Sequence, residues 1–263
     1  MSTLAMSARR GHVEILTFLR DRTAVVFTFF FPALLLLLFG TIFGSESTDG
    51  GVAVSRIFTA SMIAYGVLNT AFVTMGAGLA MDREDGTLKR LRGTPMPATA
   101  YLIGKALLVL VLSIAEAAIL ILLGVLVFDM PLPPAGHWLT FGWIFLLAVI
   151  ACSLLGVAVS GLVKNARNAG AILNVPVVAL QFVSGVFIHP MSQLPDWLEK
   201  VASVFPVRWM AQGFRYVFLP SSAETQEIGG TWNLGGVAVV LAVWCVVGLI
   251  LCLVTFRWSG RDK

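Results

Sequence analysis

Six long apolar runs, almost free of charge, constrain this chain more than any other feature: near 24–44, 57–81, 106–128, 138–163, 169–188 and 232–256. A helix rises about 1.5 Å per residue, so roughly 20 apolar residues cross a hydrocarbon core about 30 Å thick. Lipid offers no partners to backbone polar groups, so each run satisfies its own as a helix. With 58% hydrophobic and only 12% charged residues over 263 positions, against roughly 25% charged in soluble domains, the chain reads as one all-α integral membrane domain.

The net charge of +4 does not point to nucleic acid, because the basic residues sit beside apolar runs. Arg9, Arg10, Arg20 and Arg22 precede the first run, which is too long for a signal-peptide core and is not followed by a small-residue cleavage site, so it reads as a retained span. Six spans place both termini on one side. That side carries most of the lysines and arginines, while the other holds Arg56, Lys200, Arg208 and Arg215. The positive-inside rule therefore makes the termini cytoplasmic in a multi-pass plasma-membrane protein, a bacterial inner membrane being the expected setting.

Residues 1–23 form an expected interfacial helix, with Leu4, Ala8, Ile15, Phe18 and Leu19 on one side and Arg9, Arg10, Thr17 and Arg20 facing away. A plain cytoplasmic extension of the first span is the alternative. Between the fifth and sixth runs, 189–231 holds two helical patterns, Trp197-Leu198-Val201-Phe205 and Met210-Phe214-Val217-Phe218, with Pro195 and Pro206 near their starts. They predict a short half-buried helical hairpin resting in the outer interface.

The cytoplasmic stretch 82–100 is charged and cannot enter lipid. Leu88 and Leu91 lie three apart on a short, otherwise polar helix, Glu84 and Asp85 suit its N-terminal dipole, and Gly93 with Pro95 stops it. The expectation is a charged knob displaying a small apolar ridge.

At these residues the sequence resembles the membrane subunits of ATP-binding-cassette (ABC) exporters of the type-two permease class. The motif is carried by Glu84, Gly86, Thr87, Leu88, Leu91, Thr94 and Pro95, continues to Gly104 and Lys105, and is joined by Pro195-Asp196-Trp197-Leu198, Phe205-Pro206 and Gly213-Phe214-Arg215. Pro97 stands where family members often carry a polar residue, which leaves the start of the third helix open. The resemblance implies a non-catalytic permease, paired with a second copy or a homologous permease. Two copies of a separate ABC ATP-binding subunit, carrying the ATP and Mg, would dock beneath. It also implies that Glu84, Gly86, Thr87, Leu88, Leu91 and Pro95 form a coupling helix pushed by those subunits. No cofactor is expected on this chain: Gly156 and Gly161 have phosphate-loop spacing, but Leu162-Val163 follow where Lys-Ser/Thr is needed.

Three polar residues inside the spans are candidates for the substrate pathway. Glu116 lies mid-span, where an ionised carboxylate costs roughly 2.5 to 3.5 kcal/mol; it could meet substrate or join two helices. Asn174 and Gln181 share a face near Pro176, where hydrogen bonding between spans competes with substrate contact. Asn69 has the same two readings. Cys152, Gly156 and Ser160, four apart, allow close helix approach within one subunit or between two. His12, His137 and His189 lack ligand-like spacing, and the three cysteines fall in apolar runs, so neither a metal site nor catalysis is expected. The leading expectation is export of an amphiphilic small molecule, drug or lipid-like. A lipid-linked polysaccharide is the alternative cargo, and a proton-coupled carrier using Glu116 the alternative class.

Overall fold

A computed structural model describes residues 2–44, 51–163, 165–187 and 195–255. Among the described residues, six helices are long and apolar enough to span a membrane: span 1 (Arg22–Ile42), span 2 (Val54–Glu84), span 3 (Ala98–Phe128), span 4 (Ala135–Ser160), span 5 (Ala166–Val183) and span 6 (Leu234–Thr255). An N-terminal helix, Thr3–Arg20, precedes them, capped by Ser2, whose side chain accepts from the Ala5 amide. The short loop helix Thr87–Arg92 joins spans 2 and 3, and two outer helices, Asp196–Val204 and Pro206–Phe218, stand before span 6.

Span 2 is the hub. Every residue from Thr59 to Leu68 is buried, against spans 1, 3 and 4 and the second outer helix. Spans 1, 5 and 6 keep broad apolar faces outside the bundle, as at Phe27, Val175 and Leu253, which is what lipid-facing helices require. Glycines set the tight crossings. A Cβ on Gly156 would lie 2.5 Å from the Phe72 carbonyl, and one on Gly40 would strike the Phe128 ring. The stripe Cys152, Gly156 and Ser160 is therefore buried within this chain, Gly156 against span 2, and not left for a second one.

Span 2 is not a uniform α-helix. Asn69–Thr74 forms a π-helical stretch, and its Phe72 carbonyl is what meets Gly156. Span 3 begins directly after Pro97, which serves as its N-cap. It therefore runs two turns beyond the apolar stretch, because Ala98 to Lys105 is supported by protein and not by lipid.

The hairpin divides its burial unequally. The first outer helix leaves Trp197, Val201 and Val204 exposed, with Ala202 its buried residue. The second is buried at every position but Tyr216. It enters the bundle instead of resting on the interface: Phe214 packs on Phe141 and Phe145 of span 4, and Gly213 fits against Ile144 and Val237. Arg215, fully buried, gives Nε to Glu227 Oε1 (2.5 Å), Nη2 to Glu227 Oε2 (2.9 Å) and Nη1 to the Gly185 carbonyl (3.0 Å). Its charge, counted above against the positive-inside rule, is thus neutralised inside the protein. Arg208 is also buried; its guanidinium donates to Ser203 Oγ (2.7 Å) and lies over the Trp209 ring. Burial lowers its pKa from the usual arginine value.

Candidate functional site: the loop and its anchorage

The turn out of span 2 is built from local chemistry. Gly86 has φ +77°, a left-handed conformation that favours glycine, with nothing within 4 Å of where a Cβ would stand. Its need is therefore conformational, not steric. Asp85 Oδ1 accepts the Thr87 amide (2.8 Å), opening the loop helix, and the Thr94 hydroxyl closes it on the Leu91 carbonyl (2.6 Å). Burial works against the Asp85 carboxylate, but its hydrogen bonds with Thr87 and the fields of Arg90 and Lys105 hold its pKa below the ordinary value.

The expected apolar ridge is not displayed. Leu88 is buried to 2% exposure in the main core, and Leu91 packs on the edge of that core. Two leucines three apart on so short a helix share one face, and in this chain that face binds the helix to its own bundle. From Thr87 to Pro95 the exposed residues are Lys89, Arg90, Arg92, Gly93, Thr94 and Pro95, and Asp85 before them is exposed too. Glu84 is exposed at its side chain but engaged, its Oε2 accepting the Ala166 amide (2.5 Å) at the start of span 5. Arg83 Nη1 donates to the Ser160 carbonyl at the end of span 4 (2.9 Å). A polar cleft of about 320 Å³ lies between these two ties, lined by Ala80, Arg83, Glu84, Val163, Asn165 and Ala166.

Behind the loop stands a four-charge network. Lys105 Nζ lies 2.8 Å from Asp82 Oδ2 and 3.2 Å from Glu14 Oε1. Arg10 pairs with Glu14 and reaches Asp82 at 3.7 Å. The Tyr101 hydroxyl donates to Asp82 Oδ2 (2.6 Å), and Arg10 lies 5.3 Å from the Tyr101 ring centre. Gly11 and Gly104 permit this: a Cβ on Gly104 would lie 2.6 Å from Arg10 Cγ. The network joins the N-terminal helix, the end of span 2 and the start of span 3.

Arg10, expected to face away with Arg9, Thr17 and Arg20, instead turns toward the bundle. The inward face of the N-terminal helix is Ser7, Gly11, Glu14 and Phe18. Ile15 and Phe18 do pack inward, on Leu108 and Leu112. Leu4 and Leu19 remain exposed. Apolar periodicity on the helix could not reveal that a glutamate faced protein, because the cations that satisfy Glu14 arrive from Arg10 and from Lys105, 91 positions away.

The three pathway candidates do not converge. Glu116 is sealed between spans 2 and 3 at 2% exposure, where Thr70 Oγ1 donates to its Oε2 (2.7 Å) and Oε1 lies against Gly66 without a hydrogen-bond partner. Gln181 is fully buried in span 5 with neither amide atom bonded, and Asn174 is half-buried about two turns earlier. Gly185 lies beyond the helix end, with φ +73°. Asn69 is half-buried in the π-helical stretch. Among the described residues no group of three or more His, Cys, Asp and Glu could hold a metal ion. His137 stacks on Tyr216 and its Nδ1 lies 3.2 Å from the Val217 carbonyl, while His189 lies outside the described residues.

A separate apolar groove of about 430 Å³ opens between spans 3 and 4 near their hairpin ends, lined by Ile114, Ala118, Leu122, Trp138 and Phe141 among others. None of the three pathway candidates lines it.

The sequence profile of ABC-2 type transporters matches residues 11–219, from the N-terminal helix through the second outer helix. The chain is similar to the putative transport permease YvfS of Bacillus subtilis (strain 168), 24% identical over 203 residues, 75% of this chain and 79% of that protein. It is similar to the putative transport permease ycf38 of Porphyra purpurea, 26% identical over 227 residues, 82% of this chain and 77% of that protein. With the probable multidrug ABC transporter permease YbhR of Escherichia coli (strain K12) it shares 23% identity over 174 residues, 66% of this chain and 46% of that protein. With its six spanning helices and a profile match that includes the anchored loop, the chain belongs to the ABC-2 type transporter family, as a membrane permease whose family implies partnership with an ABC ATP-binding subunit.

Proposed function

We propose that the chain is the permease of an ATP-driven exporter that moves an amphiphilic small molecule, drug or lipid-like, out of the cytoplasm or inner leaflet. The loop end of the bundle is then cytoplasmic, as are both termini, in a plasma membrane. Two ATP-binding subunits carrying ATP and Mg dock beneath two permeases, this chain with a second copy or a homologue. The broad apolar faces of spans 1, 5 and 6 serve lipid and that second permease.

The observation that carries this reading is the anchorage of the loop. A docking element that transmits force must be stiff and tied to moving parts, and this one is tied on every side: Leu88 to the core, Glu84 to span 5, Arg83 to span 4, and Asp82 to span 3 and the N-terminal helix. A push on Thr87–Arg92 is delivered to four helices at once. The drug-like cargo is supported by the likeness to the probable multidrug permease of Escherichia coli. Glu84, Gly86, Thr87, Leu88, Leu91 and Pro95 divide their work: Leu88 and Leu91 anchor, Gly86 and Thr87 shape the turn, Glu84 braces span 5, and Pro95 stands exposed just past the helix end, where it stops the helix.

The test is reconstitution of the chain with a co-expressed ABC ATP-binding subunit in vesicles. ATP-dependent accumulation of an amphiphilic dye, lost in Gly86→Val, supports the proposal. Accumulation that needs no ATP-binding subunit and follows a proton gradient sinks it.

A further inference from the structure

Every described acidic side chain at the cytoplasmic end has an internal partner. Glu14 meets Arg10 and Lys105, Asp82 meets Tyr101 and Lys105, and Asp21 accepts the Ala24 amide at the start of span 1 (3.0 Å). Glu84 and Asp85 accept the amides of Ala166 and Thr87. The cations divide differently. Arg10, Arg83 and Lys105 turn inward, and Arg9, Arg20, Arg22 and Arg167 are exposed elsewhere at this end; Lys89, Arg90 and Arg92 stand exposed together on the loop helix. Arg90 alone of these three has a described bond, from Nη2 to Thr87 Oγ1 (3.2 Å), and it lies in the field of Asp85.

The loop helix thus presents a cationic outer face, because its leucines are used inward and its neighbouring acids are used as caps. We infer that the surface of the ATP-binding subunit that receives this loop is acidic, and that Lys89, Arg90 and Arg92 are the residues that recognise it. This rests on the reading that such a subunit docks on the loop. The charge itself argues for the occupant. An apolar cleft would find no exposed large apolar side chain between Thr87 and Arg92, and would strip water from three cations without replacement. An acidic cleft replaces that water with carboxylates, steers the approach of the two subunits and rejects neutral or basic surfaces. Arginine at two of the three positions suits bidentate pairing with carboxylates.

The experiment uses the full chain in detergent with the ABC ATP-binding subunit that co-purifies with it, which must first be obtained. Its absence across co-expressed candidates overturns the docking reading itself. With the complex in hand, K89E/R90E/R92E and the uncharged K89M/R90M/R92M are compared with the parent chain by affinity measured at low and high salt. The expected result is a loss of at least about tenfold on charge reversal, a smaller loss for the methionine variant, and weakening of the parent complex as salt rises. Because all three side chains are exposed, unchanged thermal unfolding confirms that the variants are folded. Full affinity in the reversed variant, or no salt dependence, overturns the inference while leaving the docking reading intact. So does unchanged affinity for the subunit together with lost binding to phosphatidylglycerol vesicles, which would assign the cations to anionic lipid.

Discussion

Lys105 and Asp82 form a 2.8 Å ion pair that fastens the first turns of span 3 to the last turn of span 2, at the point where the loop leaves the bundle. Lys105 is 5% exposed and has a second carboxylate, Glu14, at 3.2 Å. Lys105→Met leaves Arg10 to serve both acids. The expected cost is on the order of 2 kcal/mol, below the roughly 3–5 of a sealed pair because Arg10 remains in reach. Thermal unfolding in detergent measures it, and Lys105→Arg should recover part of the loss.

Gly86 separates shape from packing. With nothing near its absent Cβ and φ at +77°, Gly86→Asn should be tolerated, since asparagine visits the left-handed region. Gly86→Val should cost about 1–2 kcal/mol and rearrange the turn. Hydrogen exchange of the loop amides reads the difference.

Gly156 is expected to be far more sensitive than Gly142 in the same span. A Cβ at Gly156 would stand 2.5 Å from the Phe72 carbonyl, whereas one at Gly142 meets nothing within 4 Å. Gly156→Ala should lower stability by about 1–3 kcal/mol and Gly142→Ala should leave it within about 0.5. Thermal unfolding of the two variants side by side checks both values.

How far the sequence was legible follows from where each partner lies. The six spans could be read because lipid imposes a local rule on every residue of each run. The loop motif could be read too, but not the inward turn of Leu88, since its receiving surface is assembled from distant helices. Arg215 looked like an outer charge because Glu227, twelve positions on, joins it only through the fold. The π-helical stretch at Asn69–Thr74 leaves no apolar periodicity to find, and its Phe72 carbonyl meets Gly156 only through the fold.

Removing Glu227 should be the most damaging single change at the hairpin end. Glu227→Ala leaves Arg215, with 0% exposure, without its carboxylate, at a cost of roughly 3–5 kcal/mol. Replacing both residues by methionine should be milder than the single change, and a double-mutant cycle by chemical or thermal unfolding exposes the coupling.

Asp85 makes the loop acid-sensitive. Its pKa is held down by Thr87, Arg90 and Lys105 against the effect of burial. A depressed carboxylate stabilises above its unfolded pKa, and that contribution is lost as pH falls through the folded one. Protection of the Thr87 amide by this cap should therefore be complete near neutral pH and be lost only in acid, below the ordinary aspartate range; Asp85→Asn should remove that acid step.

The proposed coupling role has the loop carry the force of ATP hydrolysis into this bundle. The most direct measurement is ATP-driven uptake of an amphiphilic dye into inside-out vesicles holding the chain and its ATP-binding subunit, with Gly86→Val beside the parent. The account expects the variant to bind the subunit and hydrolyse ATP while transport falls at least about tenfold, a loss of roughly 1.4 kcal/mol in coupling. Transport that survives a rearranged loop at the parent rate contradicts it.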